Sequence, residues 1–243
     1  YWQDLNPDHF LIQTLEDFFP HQPGMVVRKS LYESVGPFDV SLKRSQDYEM
    51  LIRLARAAPC AGTDDIVFLQ RQHDGARGVS GDRFAAHERD AKWMAHDQKI
   101  FTALRDELAL SDYLPRGDDI KGDADRRKAL LQRGVIFARK KLWDLATEDF
   151  ETAAQLGSDT LSDEEQAILR RTLSSKYGCD EITDDPDIFA SLRKLKTIEP
   201  VGSAILDGVL RGLRWRIREA LQTGKPGHAL HLVQRSLSAK LAR

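Results

Sequence analysis

Apolar positions in the first eighty residues come in short runs set between turn residues. Met25-Val26-Val27-Arg28 follows Pro23-Gly24, and Ile66-Val67-Phe68-Leu69 follows Gly62-Thr63-Asp64. Runs of this length bounded by such residues predict β-strands. Between them the period changes. From Gln46 to Ala58 the spacing predicts a helix, with Leu51, Leu54 and Ala58 on the stripe headed by Asp47. Glu49, Arg53 and Arg56 form a second stripe, read as solvated, with Glu before Arg in the favourable order. Strand, helix, strand at this spacing predicts an α/β layer. From Asp82 the strand pattern disappears. Asp82 to Leu108 reads as a long helical stretch carrying Phe84, Trp93, Met94, Ile100, Leu104 and Leu108. The polar loop Pro115-Arg116-Gly117-Asp118-Asp119 follows. Four or five helical segments then run on, broken near Gly157-Ser158, Gly178, Asp185-Pro186, Pro200 and Gly224-Lys225-Pro226-Gly227. The expected architecture is a partial α/β domain over residues 1–112 with its trailing helix, then an all-α domain over 120–243, the boundary falling near 112–122.

Length and charge narrow this picture. A chain of 243 residues holds one large domain or two small ones. Two or three strands cannot bury both faces of a parallel sheet. Either the missing strands lie upstream of Tyr1, or this is a small α+β layer capped by the helices; a chain that opens on Tyr with no signal-peptide pattern is expected to be a piece of a longer protein. Lys and Arg total 36 against 38 Asp and Glu, which argues against a general nucleic-acid binder. No apolar run approaches the ~18 residues of a spanning helix. Cys60 and Cys179 stand apart from any metal-ligand spacing, so free thiols and a reducing, cytoplasmic setting are expected.

The chemistry concentrates at Asp47. A carboxylate in the first turn of a helix is favoured in its ionised form by the helix dipole. Held at the head of an apolar stripe, it can accept a proton from a bound hydroxyl. First-turn acids also occur simply as caps. The surrounding blocks add to the reading. Met25-Val-Val-Arg-Lys-Ser-Leu-Tyr-Glu-Ser-Val-Gly-Pro-Phe-Asp39 precedes Ser45-Gln-Asp47-Tyr-Glu-Met-Leu-Ile-Arg-Leu54, and Phe68-Leu-Gln-Arg71-Gln-His73 follows. This ordered set, within residues 1 to about 100, resembles the acceptor-side half of a family 2 glycosyltransferase of the GT-A fold.

The resemblance implies that Asp47 is the base that deprotonates the acceptor hydroxyl, with inversion at the sugar. It implies that His73 helps hold a divalent metal, Mn or Mg, and that Gln46 stands where relatives carry Glu. Gly24 is matched to a glycine-containing loop beside the acceptor, and Arg71 to a group near the diphosphate. The implied partners are a nucleotide sugar and a glycan or lipid-linked acceptor, in cell-surface polysaccharide assembly. Relatives place a nucleotide-binding half and an Asp-x-Asp metal motif before these blocks, and neither is present here. Asp123-Ala-Asp125 has the spelling but lies at the start of a helix. There is no Gly-rich phosphate loop. The chain alone is therefore expected to be inactive and to hold no metal tightly.

Residues 127–157 resemble one tetratricopeptide repeat, through Leu130, Gly134, Phe137, Ala146, Phe150 and Ala153, with Trp143 at an aromatic-tolerant place. Gly134 and Ala146 would let two helices approach while Phe137 and Phe150 fill the gaps. Leu213, Ala229, Val233 and Ser236 echo the pattern with Ile217 in the glycine place. One repeat cannot make a solenoid, so an irregular bundle is expected. A non-catalytic interaction module with a protein partner is the rival reading of the whole chain. From Arg211 onward eight basic residues meet Glu219 alone, with Trp215 among them. That is the pattern of a peripheral contact with the inner face of a membrane, or of a solvated face paired with the acids of Asp180–Asp187.

Overall fold

The computed structural model describes residues 5–17, 20–63, 65–69, 89–157 and 160–241. Among them there is no strand, and these residues are all-α where an α/β layer was expected. The two apolar runs show why. Met25 and Arg28 have extended backbone angles, yet neither their segment nor Ile66–Leu69 pairs in a ladder. Two isolated runs cannot build a stable sheet. Val26, Ile66 and Leu69 accordingly stand in solvent, each more than four-fifths exposed.

The chain divides into two compact units, and each is described by itself. The first reaches Leu108 and also takes in Pro115–Gly117; the second comprises Ala109–Leu114 and everything from Asp118.

The first unit holds α1 (Phe10–Glu16), α2 (Lys29–Val35), α3 (Gln46–Ala57) and α4 (Arg89–Glu107). Both α1 and α2 pack on α3. Its centre is α3, which buries Tyr48, Met50, Leu51, Ile52, Leu54 and Ala55. Leu51 and Ala55 close on Phe10 of α1. The Tyr48 hydroxyl donates to the Thr14 carbonyl at 2.7 Å, and its ring meets Phe101 of α4 at 5.9 Å. The C-terminal end of α3 is covered by Arg116, whose guanidinium donates to the Ala55 carbonyl at 2.5 Å. The Arg116 amide also donates to the Asp8 carbonyl at 2.7 Å, which ties Pro115–Gly117 into this unit.

The second unit contains α5 (Asp123–Arg139), α6 (Trp143–Ala154), α7 (Asp163–Arg170), α8 (Glu181–Asp184), α9 (Pro186–Lys194), α10 (Gly202–Arg211), α11 (Leu213–Gln222) and α12 (Pro226–Leu241). These are more segments than the four or five expected, because α8 and α9 are short and share one polar run. α5 and α6 form a tight hairpin, α7 packs on α5 and α10, and α11 pairs with α12. At Gly134 an added Cβ would lie 2.7 Å from the Phe150 ring and 3.2 Å from the Ala146 carbonyl, so only glycine permits this approach. Phe137, Ala146, Phe150 and Ala153 are all fully buried. Breaks fall where turn chemistry demands. Gly157, Gly178 and Gly224 adopt positive φ. Asp185 caps α9 by accepting from the amides of Asp187 and Ile188, with Pro186 in the first turn.

Buried charges lock the second unit. Arg127 meets Glu165 in a two-pronged contact at 2.6 and 2.9 Å, and both side chains are buried. Arg127 also donates to the carbonyls of Leu156 and Thr160. Glu165 also accepts from the Ser162 amide, closing the capping box of α7. Arg133 binds Asp149 in the same manner across the α5–α6 hairpin.

Candidate functional site

Asp47 lies in the first turn of α3 and is half-buried. One of its oxygens accepts the Tyr48 amide at 3.0 Å. Among the described residues no cation pairs with it. It lines a small surface cleft that is open to solvent. Met50, Leu51 and Leu54 come from the same helix stripe; Pro20, Gln22, Met25, Tyr32 and Phe38 come from the preceding segments. The cleft thus joins one carboxylate, one phenol and one carboxamide to an apolar lining.

The local sequence explains how this cleft is held. α2 ends at Gly36, which adopts φ 86° in the cap, a conformation glycine reaches without strain. The loop that follows is gripped by Arg53. Its guanidinium donates to the carbonyls of Val35 at 2.5 Å, Gly36 at 3.3 Å and Pro37 at 2.9 Å. Glu49 holds the other side of the same group at 2.6 and 2.7 Å. The Glu49–Arg53 pair forms as the spacing expects, but the stripe is not simply solvated: Arg53 is 27% exposed and fastens the loop that carries Phe38. Beside Phe38, Asp39 accepts the Ser41 amide at 2.8 Å. Hydrogen bonding from Ser41 holds its carboxyl below the usual carboxylate range.

Ser45, just before α3, adopts a left-handed backbone with φ 58°. Its hydroxyl donates to the buried Asp97 of α4 at 3.2 Å. A non-glycine residue is strained in that region, and the strain sits two residues before Asp47.

The other expected site residues separate. Gln46 turns its amide back onto the Leu42 carbonyl and does not line the cleft. Gly24 packs against Phe68, where an added Cβ would lie 3.2 Å from the ring. Its neighbours Gln22 and Met25, not Gly24 itself, reach the cleft. Arg71 and His73 lie outside the described residues. Sequence reasoning missed Tyr32, Gln22 and the Arg53 clamp. Tyr32 was within the quoted block, but nothing in its spacing marks it as facing Asp47.

Among the described residues no group of three or more His, Cys, Asp or Glu side chains is arranged to hold a metal ion. Asp123 and Asp125 serve the first turn of α5, where Asp125 accepts the Lys121 amide at 3.0 Å. His73, to which the resemblance assigns the metal, is not among the described residues, and no metal-assisted step is assigned to them. No described helix is long and apolar enough to cross a membrane. No protein-family model, curated protein or solved structure matches the chain.

Proposed function

We propose that the cleft headed by Asp47 is the acceptor side of an inverting, nucleotide-sugar-dependent glycosyl transfer site. The observation that carries this reading is the half-buried Asp47 carboxylate, unpaired with any described cation, opening on a cleft of mixed polar and apolar lining. A glycan hydroxyl within hydrogen-bond reach transfers its proton to Asp47 as its oxygen bonds to the anomeric carbon. The bond from that carbon to the nucleoside diphosphate breaks on the opposite side, so configuration inverts. Tyr32 and Gln22 supply hydrogen-bonding groups for neighbouring hydroxyls, and Phe38 and Met25 supply apolar surface for the C–H face of a sugar ring.

Donor binding is assigned to a nucleotide-binding part that these residues do not include, because the chain has neither a Gly-rich phosphate loop nor a strand-flanked Asp-x-Asp. In a polypeptide that joins this chain to such a part, Asp47→Asn should lower turnover by ~10²-fold or more while donor affinity is retained. Turnover near that of the unmodified enzyme would overturn the assignment. The 243-residue chain by itself should not consume nucleotide sugars; consumption would refute the missing donor part.

A further inference from the structure

We propose that α11 docks the protein on an anionic lipid surface. From Arg211 to Arg243 eight basic residues face one acid, seven net positive charges in a chain whose total is -2. The one acid, Glu219, is engaged by Arg216 at 3.0 Å. Arg216 itself turns inward and donates to the carbonyls of Leu173 and Ser175. Leu213 and Ala220 are buried on that inner side. The opposite arc of the helix is exposed. Arg214 and Arg218, one turn apart, form its centre, and no described carboxylate pairs with either. Trp215 and Leu221 flank them, 52% and 58% exposed. The Arg216 guanidinium lies 4.6 Å from the Trp215 ring centre, which steadies the indole at the surface. α12 has no acidic residue and exposes Leu230 and Leu237, two turns apart.

A cationic centre between two apolar flanks selects its occupant. Guanidinium groups pair with lipid phosphates, while Trp and Leu settle at the headgroup boundary. A nucleic-acid phosphate backbone would satisfy the arginines but leave Leu221 in water. A second copy would bring like charges together.

The test is co-sedimentation of the intact chain with phosphatidylcholine vesicles, with and without phosphatidylserine. Binding should require phosphatidylserine and weaken as salt rises. The double variant Arg214→Gln/Arg218→Gln removes two exposed groups that no described residue uses, so it should fold normally. Its partitioning should drop ~30-fold, the equivalent of ~2 kcal/mol at about 1 kcal/mol per basic residue. Three results would overturn the proposal. These are equal or absent binding to both vesicle types, undiminished binding by the double variant, and self-association or duplex-DNA binding in place of vesicle binding.

Discussion

Cys179 is 3% exposed, and burial, ahead of the nearby charges of Arg216 and Glu181, pushes its thiol from 9.0 up to about 11. The folded protein therefore keeps a proton on sulfur that the unfolded chain gives up above pH 9. A group whose acid form is favoured by folding contributes stability below the unfolded value, and that contribution is lost as pH rises toward the folded one. Between pH 9 and 11 the unfolding free energy should lose roughly 2–3 kcal/mol from this one thiol. Urea unfolding of Cys179→Ala measured alongside the parent isolates the effect, because other titrating groups cancel in the difference. Parallel pH dependences would show that the thiol is not sheltered in the fold. At this same scale the stripe read from the sequence is seen in that Leu51 and Leu54 line one cleft with Asp47. The sequence did not disclose the Arg53 clamp. The partners of Arg53 are backbone carbonyls of Val35, Gly36 and Pro37, and no side-chain pattern encodes a carbonyl.

Among the elements, the α5–α6 hairpin was the most legible because its packing is local. Small residues at Gly134 and Ala146 and large ones at Phe137 and Phe150 are close in sequence and meet across a short turn. Leu213 and Ala229 are likewise buried, and α11 and α12 do form a second hairpin, with Ile217 packed partly against the core. The expected pairing of the basic segment with Asp180–Asp187 was only faintly realised. Arg235 donates to the Thr183 carbonyl and lies over the Phe189 ring, while His228 approaches Asp180 at 3.9 Å. Gly134→Ala tests the close approach. The new methyl would sit 2.7 Å from the Phe150 ring and 3.2 Å from the Ala146 carbonyl, and overpacking of this kind costs about 1–3 kcal/mol. The helix interior would favour Ala over Gly by at most about 1 kcal/mol, so the net change should be a loss, read as a lower midpoint of chemical unfolding. A rise in the midpoint would mean that the two helices can part without penalty. Combining the change with Phe150→Leu should recover part of the loss.

Over the whole molecule, fold class was the reading that failed, and the cause lies in Val26, Ile66 and Leu69. A short apolar run bounded by turn residues reads alike whether it is paired in a sheet or extended in solvent, since pairing depends on partners that periodicity does not see. In the first unit these side chains are exposed, together with Val40. The second unit is built differently. Every buried side chain of its main core, from Leu130 to Ala239, lies within it, as do Leu110 and the other groups packed against that core. Its strongest buried ion pairs, Arg127–Glu165 and Arg133–Asp149, are also internal. A segment with an apolar core of its own and internal carboxylate partners for Arg127 and Arg133 has the requirements for independent folding. The fragment running from Ala109 to Arg243 should therefore give a strongly helical far-ultraviolet spectrum and a single cooperative urea transition. Within it, Glu165→Gln leaves the Arg127 charge buried without its counter-ion, so the same transition should shift to lower urea by the equivalent of ~3–5 kcal/mol. A fragment that binds a hydrophobic dye and melts without cooperativity would show that its core needs residues from the first unit.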